Sequence, residues 1–235
     1  MLNSNMDLNN KVTVIIGGSQ GFGKSLAKFF IKENAKVIII SKNINSANNT
    51  AKEIGAIGYA VDIRNEQDLI NTTKLIVNKF GNIDIWINGA GIFMKFPNNE
   101  KLDMDRAHEL FDVNFFGTVI GSQTAIKYMK NNGGTIVNIL SSAALDPTRA
   151  IGASLYASSK WAVRGYTDAL RSEYIDSNIK IISLYPGGMK THLHDESIPT
   201  NFADFMDPDY VSEKVINNLK LDKPQDEQII KRPNV

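Results

Sequence analysis

The stretch VTVIIGGSQGFG, residues 12–23, decides how this chain folds. Its first five residues, four of them Val or Ile, run directly into a turn that holds four glycines. Such an apolar run is typical of a strand buried on both faces. Glycines allow backbone N–H groups to approach an anion closely, and a following helix N-terminus has positive partial charge. The stretch predicts a strand, a phosphate-binding turn and a helix beginning near Gly21, although a plain β-to-α turn gives the same pattern.

The rest of the chain repeats this alternation of strands and helices. Further Val- and Ile-rich runs of strand length lie at residues 37–40, 83–87, 135–140 and 179–184, with weaker ones at 58–61 and 228–230. Segments with helical spacing lie at residues 23–33, 47–54, 65–80, 104–129, 156–175 and 208–219. This order predicts an α/β fold of the Rossmann type, a doubly wound parallel sheet of about seven strands.

Composition excludes several classes of function. We expect a single domain over residues 11–235 after a flexible, polar N-terminal segment at residues 1–10. The 26 Lys and Arg balance the 25 Asp and Glu, which argues against a nucleic-acid or membrane-surface partner. No cysteine is present, and the pair His192 and His194 with Asp195 makes a poor metal site. Without a secretory signal or a long apolar run, we expect a cytoplasmic protein.

An ordered series of motifs follows the strands. The first turn has the spacing G-x-x-x-G-x-G, and the later members are Asp62, the run Asn88-Gly89-Ala90-Gly91, Asn114, Ser141, Tyr156-x-x-x-Lys160, and Pro186-Gly187 with Thr191. On this series the chain resembles the short-chain dehydrogenase/reductase family from about residue 11 to residue 233. The resemblance implies hydride transfer between a nicotinamide cofactor and a small carbonyl or alcohol substrate. It also implies a homodimer or homotetramer that pairs through segments 104–129 and 156–175.

The resemblance also implies the residues that hold the cofactor. They are Gly17, Ser19, Gln20, Gly21, Phe22, Gly23, Ser41, Lys42, Asp62, Ile63, Asn88, Ala90, Gly91, Tyr156, Lys160, Pro186, Gly187 and Thr191. Two positions depart from the family pattern, because Ile16 stands where Thr is usual and Gly89 where a second Asn is usual. We therefore expect a side-chain tie between these two turns to be missing, with cofactor affinity affected more than reaction type.

The end of the second strand predicts which cofactor is used. An acidic residue there would bind the 2′-hydroxyl of NAD(H) and repel a 2′-phosphate, but this chain has Ser41 and Lys42. A lysine can pair with the phosphate, which favours NADP(H) and leaves NAD(H) possible. Lys42 could also be a solvated charge at a strand end.

Tyr156 and Lys160 are the candidate proton-transfer pair. They are one helical turn apart and therefore share a helix face. A free phenol has a pKa of about 10, and a neighbouring ammonium is expected to lower it. The resemblance implies that Tyr156 exchanges a proton with the substrate oxygen, that Ser141 hydrogen-bonds this oxygen, and that Asn114 supports a proton relay to Lys160. Ser142 remains an alternative to Ser141.

Spacing alone is insufficient evidence, because Tyr210 and Lys214 repeat the Y-x-x-x-K pattern. Only Tyr156 follows a strand that ends in serine, so its position in the chain selects it. The irregular segment at about residues 187–209 is the expected substrate loop. Two other functions stay open, an epimerase or dehydratase and a cofactor-sensing protein without turnover. Retention of Ser141, Tyr156 and Lys160 argues against the sensor, and the short C-terminal part argues against the epimerase.

Overall fold

The computed structural model describes residues 7–96, 100–195 and 197–233. Within these ranges the strands are β1 Val12–Ile16, β2 Lys36–Ser41, β3 Ile57–Ala60, β4 Ile85–Asn88, β5 Gly134–Ile139, β6 Ile179–Pro186 and β7 Glu227–Ile230. The α-helices are α1 Gly21–Lys32, α2 Ile44–Ile54, α3 Glu66–Phe80, α4 Met104–Phe111, α5 Gly117–Met129, α6 Ser154–Glu173 and α7 Pro208–Leu219. None of the described helices is long and apolar enough to cross a bilayer.

The strands form one parallel sheet in the order β3-β2-β1-β4-β5-β6-β7. The order reverses between β1 and β4, so helices cover both faces and the predicted doubly wound architecture is confirmed. All five residues of β1 are buried, as expected for a central strand covered on both sides. Because the strands are parallel, their carboxyl ends and the loops that follow lie along one edge of the sheet.

Apolar side chains fill the space on each face of the sheet. On one face, α1 and α7 pack together, with Leu26 and Phe30 in the same buried cluster as Val211 and Val215. On the other face, the buried cluster includes Leu69 of α3, Ala125 and Met129 of α5, and Leu170 of α6. The two layers hold the turns at the carboxyl edge in fixed positions relative to the sheet.

Segment 104–129 was expected to be a single α-helix, but it contains a π-helical part. Residues Asp112–Phe116 form this π-helix between α4 and α5 without breaking the continuous helical path. A π-helical turn adds one residue to the turn and redirects the residues around it, and such turns are frequent at functional sites. Asn114 lies inside it and is fully buried.

The described residues before β1 and those after β6 are held by different contacts. Of the segment at residues 1–10, residues 1–6 lie outside the described residues, whereas Leu8 is 1% exposed and belongs to the core. After β6, residues 187–209 form a loop with two 3₁₀ turns, His192–His194 and Phe202–Asp204. A bridge between Met189 and Met206 closes this loop at its base. Residue 196 of the loop lies outside the described residues.

Candidate active site

The carboxyl ends of the strands surround a cleft with a volume of about 1360 Å³. This is the position where open α/β sheets bind ligands. Among the sequence-predicted residues, the cleft is lined by Gly17, Ser19, Gln20, Gly21, Phe22, Gly23, Ser41, Lys42, Asp62, Ile63, Ala90, Gly91, Ser141, Tyr156, Lys160, Pro186, Gly187 and Thr191. The two predicted residues that do not line it are Asn88 and Asn114. The fold thus brings residues from six loops to one surface.

The glycine turn after β1 is shaped by close backbone approaches. Gly17 has a φ of +79°, and a Cβ atom there would lie 2.8 Å from the backbone nitrogen of Ala90. The N–H of Gly17 donates to the carbonyl of Ile40 over 2.7 Å. Thr50 fixes the turn from α2, since its hydroxyl donates to the Ser19 carbonyl over 2.7 Å. Only glycine at position 17 allows the turns after β1 and β4 to meet.

The two departures from the family pattern lie side by side. Ile16 is buried in the apolar core, and the backbone N–H of Gly89 donates to the carbonyl of Ile16 over 3.1 Å. A Cβ atom at Gly89 would lie 3.0 Å from Cδ1 of Ile139. Neither residue has a polar side chain, so a backbone hydrogen bond and apolar packing join these turns. The resulting geometry requires a small residue at position 89.

The carboxylate of Asp62, which follows β3, pairs with two cations, Arg64 and the Lys42 that follows β2. Asp62 accepts hydrogen bonds from the guanidinium of Arg64 in a two-pronged pair, and Nζ of Lys42 lies 3.4 Å from Oδ2 of the same carboxylate. The hydrogen bonds from Arg64 hold the pKa of Asp62 well below its usual range. Lys42 is 70% exposed at the side chain and remains accessible from the cleft. Sequence reasoning missed Arg64, although its place two residues after Asp62 was visible.

Tyr156 occupies a buried position in the first turns of α6. The side chain is 7% exposed, and the hydroxyl of Ser141 hydrogen-bonds its phenol. Ser141 itself accepts a hydrogen bond from the N–H of Ala143 over 3.2 Å, which fixes its hydroxyl at the end of β5. Ser142 lines the same cleft as the first residue of a 3₁₀ turn. The structure therefore pairs the phenol with Ser141.

Lys160 is a buried ammonium that forms no salt bridge within the described ranges. It is 6% exposed, and its Nζ donates to the carbonyl of Ile139 over 3.1 Å. Burial lowers the pKa of Lys160 to about 8. Nζ lies 6.0 Å from the centre of the Tyr156 ring. A buried cation without a carboxylate is costly, which is typical of residues retained for a function.

The pKa of Tyr156 differs from the sequence-based expectation. A lowered value was expected from the neighbouring Lys160, but burial raises it, and the hydrogen bond from Ser141 offsets only part of this increase. Burial is the largest cause of the shift, because removal of water disfavours the charged phenolate strongly. Without other ligands, the protein therefore keeps Tyr156 as a neutral phenol.

The two predicted asparagines support the site from below its surface. Asn114 accepts from the N–H of Ile92 over 2.8 Å and donates to the hydroxyl of Ser159 over 3.2 Å, which fixes α6 against the loop after β4. A Cβ atom at Gly91 would lie 3.3 Å from Asn114 Oδ1 and 3.7 Å from Lys160 Nζ. Asn114 is therefore a neighbour of the lysine, although it does not line the cleft.

The side chain of Asn88 turns away from the cleft, in contrast to its predicted role in cofactor binding. It accepts from the indole N–H of Trp86 over 2.8 Å and donates to Asn138 over 2.7 Å. Asn138 in turn donates to the hydroxyl of Thr167 over 3.0 Å. These buried amides link β4, β5 and α6, because polar groups inside the core need partners. Asn88 can therefore order the site without touching a ligand in it.

Beside Tyr156, one side of the cleft consists of aromatic rings. Phe93 follows β4, while His194 and Phe205 come from the loop after β6, and all three line the cleft. The ring centre of Phe93 lies 4.9 Å from that of Tyr156. Sequence reasoning placed His194 and Phe205 in the expected substrate loop, but only the fold brings them to Phe93.

The second Tyr-x-x-x-Lys pair lies elsewhere. Tyr210 and Lys214 belong to α7, where Tyr210 packs partly buried against the core and Lys214 is exposed. Neither residue lines the cleft. The position in the chain therefore separates the two pairs as expected.

Comparison with known proteins agrees with this geometry. The family model for short chain dehydrogenases matches residues 11–201. Carbonyl reductase family member 4 of Xenopus laevis is 34% identical over 189 residues, which cover 78% of each chain. An uncharacterized oxidoreductase of Staphylococcus aureus strain USA300 is 27% identical over 220 residues, 92% of this chain and 94% of that protein.

A solved structure resembles the fold along almost its whole length. It is the crystal structure of 3-ketoacyl-(acyl-carrier-protein) reductase from Brucella melitensis complexed with NADH. The two chains superpose with a TM-score of 0.86 at 28% identity, over 95% of this chain and 97% of the other. A nicotinamide cofactor is bound in that relative, on the same fold.

Proposed function

Since the chain belongs to the short-chain dehydrogenase family, we propose that it is an NADP(H)-dependent oxidoreductase. It transfers hydride between nicotinamide and the carbonyl or alcohol carbon of a small or medium substrate. One observation supports this most directly: Ser141, Tyr156 and Lys160 meet at one end of a cleft whose other end is the glycine turn. The arrangement has the groups needed to bind a dinucleotide and to transfer a proton.

The residues of the cleft fit a bound dinucleotide. The turn at Gly17 and the N-terminus of α1 would hold the pyrophosphate, because glycines let backbone N–H groups approach an anion and the helix N-terminus has positive partial charge. Lys160, a buried ammonium without a carboxylate, would donate to the ribose hydroxyls. When bound, the cofactor supplies the hydride that adds to the carbonyl carbon.

The protein's own contribution is a proton delivered to the carbonyl oxygen. Tyr156 is the donor during reduction, and its raised pKa keeps the phenol protonated and ready to donate. Ser141 orients the phenol and also hydrogen-bonds the substrate oxygen. Lys160 and Asn114 would support a chain of water molecules that returns a proton from solvent to the tyrosine. The carbonyl thus gains a hydride at carbon and a proton at oxygen, which gives the alcohol.

The proposal is tested by following the absorbance of NADPH and NADH with a broad panel of aldehydes, ketones and alcohols. We expect the protein to oxidise NADPH in the presence of some carbonyl compounds. If neither cofactor is oxidised or reduced with any member of the panel, although at least one of them binds, the oxidoreductase assignment is contradicted.

The preference for NADP(H) is proposed from the charges at the end of β2. Ser41 leaves this position without an acid, and Lys42 and Arg64 provide two cations beside Asp62. Hydrogen bonds between charged groups contribute about 1.5–3 kcal/mol, which corresponds to about 10- to 100-fold in affinity. We therefore expect Lys42→Asp to raise the Kd of NADPH by about this factor while the Kd of NADH changes little, measured by titration calorimetry. Equal changes for both cofactors would contradict the preference.

We also propose that the protein forms a homodimer or homotetramer through the π-helical segment with α4 and α5, and through α6. Phe116 of the π-helical segment is 51% exposed and Trp161 of α6 is 41% exposed, both high values for large apolar side chains. Light scattering of the purified protein gives the mass directly. A monomer at micromolar concentration would contradict this proposal.

A further inference from the structure

Three rings form a continuous surface that begins at Tyr156. This surface, the aromatic wall, consists of Phe93, His194 and Phe205. The ring centres of Phe93 and His194 are 4.6 Å apart with their planes at 66°, and those of His194 and Phe205 are 5.5 Å apart at 73°. Phe93 meets the Tyr156 ring at 69° in the same way. All these pairs have the edge-to-face arrangement that aromatic rings prefer.

His194 takes part in the wall as a ring and not as a charged group. Its Nδ1 is buried and has no hydrogen-bond partner among the residues that the structure describes. Burial lowers the pKa of His194, and the charge of Lys95 lowers it further, so the imidazole is neutral at pH 7. The His194 ring packs edge-to-face against Phe93 and Phe205.

His192 provides a contrast within the same 3₁₀ turn. Its Nδ1 lies 3.0 Å from Oδ2 of Asp195, and both side chains are about two-thirds exposed, at 69% and 66%. A histidine on this turn can therefore find a polar partner at the surface. His194 instead packs its ring between two phenylalanines beside the candidate proton donor.

Apolar side chains other than the aromatic wall also pack around Tyr156. Met94, Ala143 and Ala150 belong to the same buried cluster as the tyrosine. Arg149 pairs with Asp146 at 3.4 Å, and the guanidinium of Arg232 lies 5.0 Å from the centre of the Phe205 ring. A substrate substituent here meets rings and methyl groups beside the cations Lys95 and Arg232, and a flat group can pack against the rings by its face or its edge.

We propose that the aromatic wall binds a flat, conjugated group attached to the carbonyl carbon, and that His194 sets this preference through its ring. The preferred substrates are thus aromatic aldehydes and ketones. This inference rests on the proposed function and specifies its substrate class. A saturated ring of the same size is puckered and cannot present a flat face or edge to the wall.

The test compares benzaldehyde with cyclohexanecarbaldehyde, which has the same number of carbon atoms. We expect a higher kcat/KM for benzaldehyde with NADPH in the wild type. His194→Ala lowers this value about two- to tenfold, the range that an aromatic pair contributes, and changes the value for cyclohexanecarbaldehyde less. His194→Phe keeps the preference because it keeps a ring. His192→Ala is the matched control on the same turn of the cleft, and it keeps the ratio of the two values.

Several results would overturn the inference while leaving the proposed function intact. They are equal rates of the wild type with both aldehydes, turnover of other carbonyl compounds but not of benzaldehyde, and His194→Phe as impaired as His194→Ala. Binding of benzamide and cyclohexanecarboxamide to the complex with NADPH, measured by calorimetry, gives a readout that needs no turnover. Tighter binding of benzamide that His194→Ala abolishes supports the wall even if no aldehyde is reduced, a result that contradicts the proposed function alone.

Discussion

The two Tyr-x-x-x-Lys pairs have almost the same internal geometry and very different surroundings. The lysine Nζ lies 6.0 Å from the tyrosine ring centre in the pair Tyr156 and Lys160, and 5.5 Å in the pair Tyr210 and Lys214. One helical turn sets this distance in both. Lys160 is buried at the carboxyl edge of the sheet, whereas Lys214 is exposed on α7. The spacing therefore fixes the distance within a pair, and the environment fixes its chemistry.

The environment acts through removal of water and through hydrogen bonds. At Tyr156, burial raises the pKa and Ser141 hydrogen-bonds the phenol. At Lys160, burial lowers the pKa to about 8. Perturbed pKa values of this kind concentrate at functional sites because protein groups replace water there. If burial at the sheet edge makes the difference, matched substitutions in the two pairs should give unequal effects.

The largest difference is expected between Tyr156→Phe and Tyr210→Phe. Loss of a general acid typically lowers the rate about 10²- to 10⁴-fold, so Tyr156→Phe should reduce kcat by such a factor. The Kd of NADPH should stay close to the wild-type value, because the ring and its packing remain. Tyr210→Phe should leave kcat within about twofold, as surface changes usually do. Full activity of Tyr156→Phe would refute the assigned role.

A smaller effect is expected when the serine hydroxyl beside the pair Tyr156 and Lys160 is removed. Ser141→Ala removes the hydrogen bond to the phenol and should lower kcat about 10- to 100-fold, the range for hydrogen bonds to charged or reacting groups. Ser142→Ala lies one residue further and should change kcat by less than about threefold, since its hydroxyl is not the partner of Tyr156. Steady-state kinetics of both variants with one substrate decides between the serines.

The last difference concerns stability, and its size depends on pH. Lys160→Met replaces a buried ammonium with an apolar side chain and should raise the free energy of unfolding by up to about 3 kcal/mol at pH 7. The folded-state pKa of about 8 is below the unfolded value of about 10.4, so the penalty shrinks as the pH rises from 8 and is absent above about 10.5.

Lys214→Met is the matched control, and it should change the free energy of unfolding by less than about 0.5 kcal/mol at every pH. Urea titrations at pH 7 and pH 9.5 measure both variants in the absence of cofactor. A gain for Lys160→Met that persisted undiminished at the higher pH would show that burial of charge is not its cause.

Residues with a local signal were predictable from the sequence. The apolar run of β1 and the glycines behind it predicted the turn, and the alternation of segments predicted a doubly wound parallel sheet of about seven strands, which the structure confirms. Ser141 was placed at the end of β5 by counting along the strand, and the structure places it in the cleft with Tyr156. In each of these cases a short stretch of chain contains the whole physical cause.

Properties that depend on distant segments were not predictable. The raised pKa of Tyr156 results from burial by several loops, and the neighbouring lysine alone suggested the opposite direction. The inward position of Asn88 depends on Trp86 and Asn138, of which Asn138 lies on the next strand. The π-helical residues around Asn114 have no simple sequence signal, because a single extra residue in a turn leaves the periodicity almost unchanged.

The bridge between Met189 and Met206 holds the two ends of the loop after β6 together. Backbone hydrogen bonds of 2.9 Å join Lys190 to Met206 and Met206 to Gly188, so the two ends of the loop stay together whatever lies between them. Longer loops add little closure entropy once their ends are fixed. We therefore expect changes of length and sequence between residues 197 and 204, which spare Thr191, His194 and Phe205, to leave the base of the loop and the sheet in place.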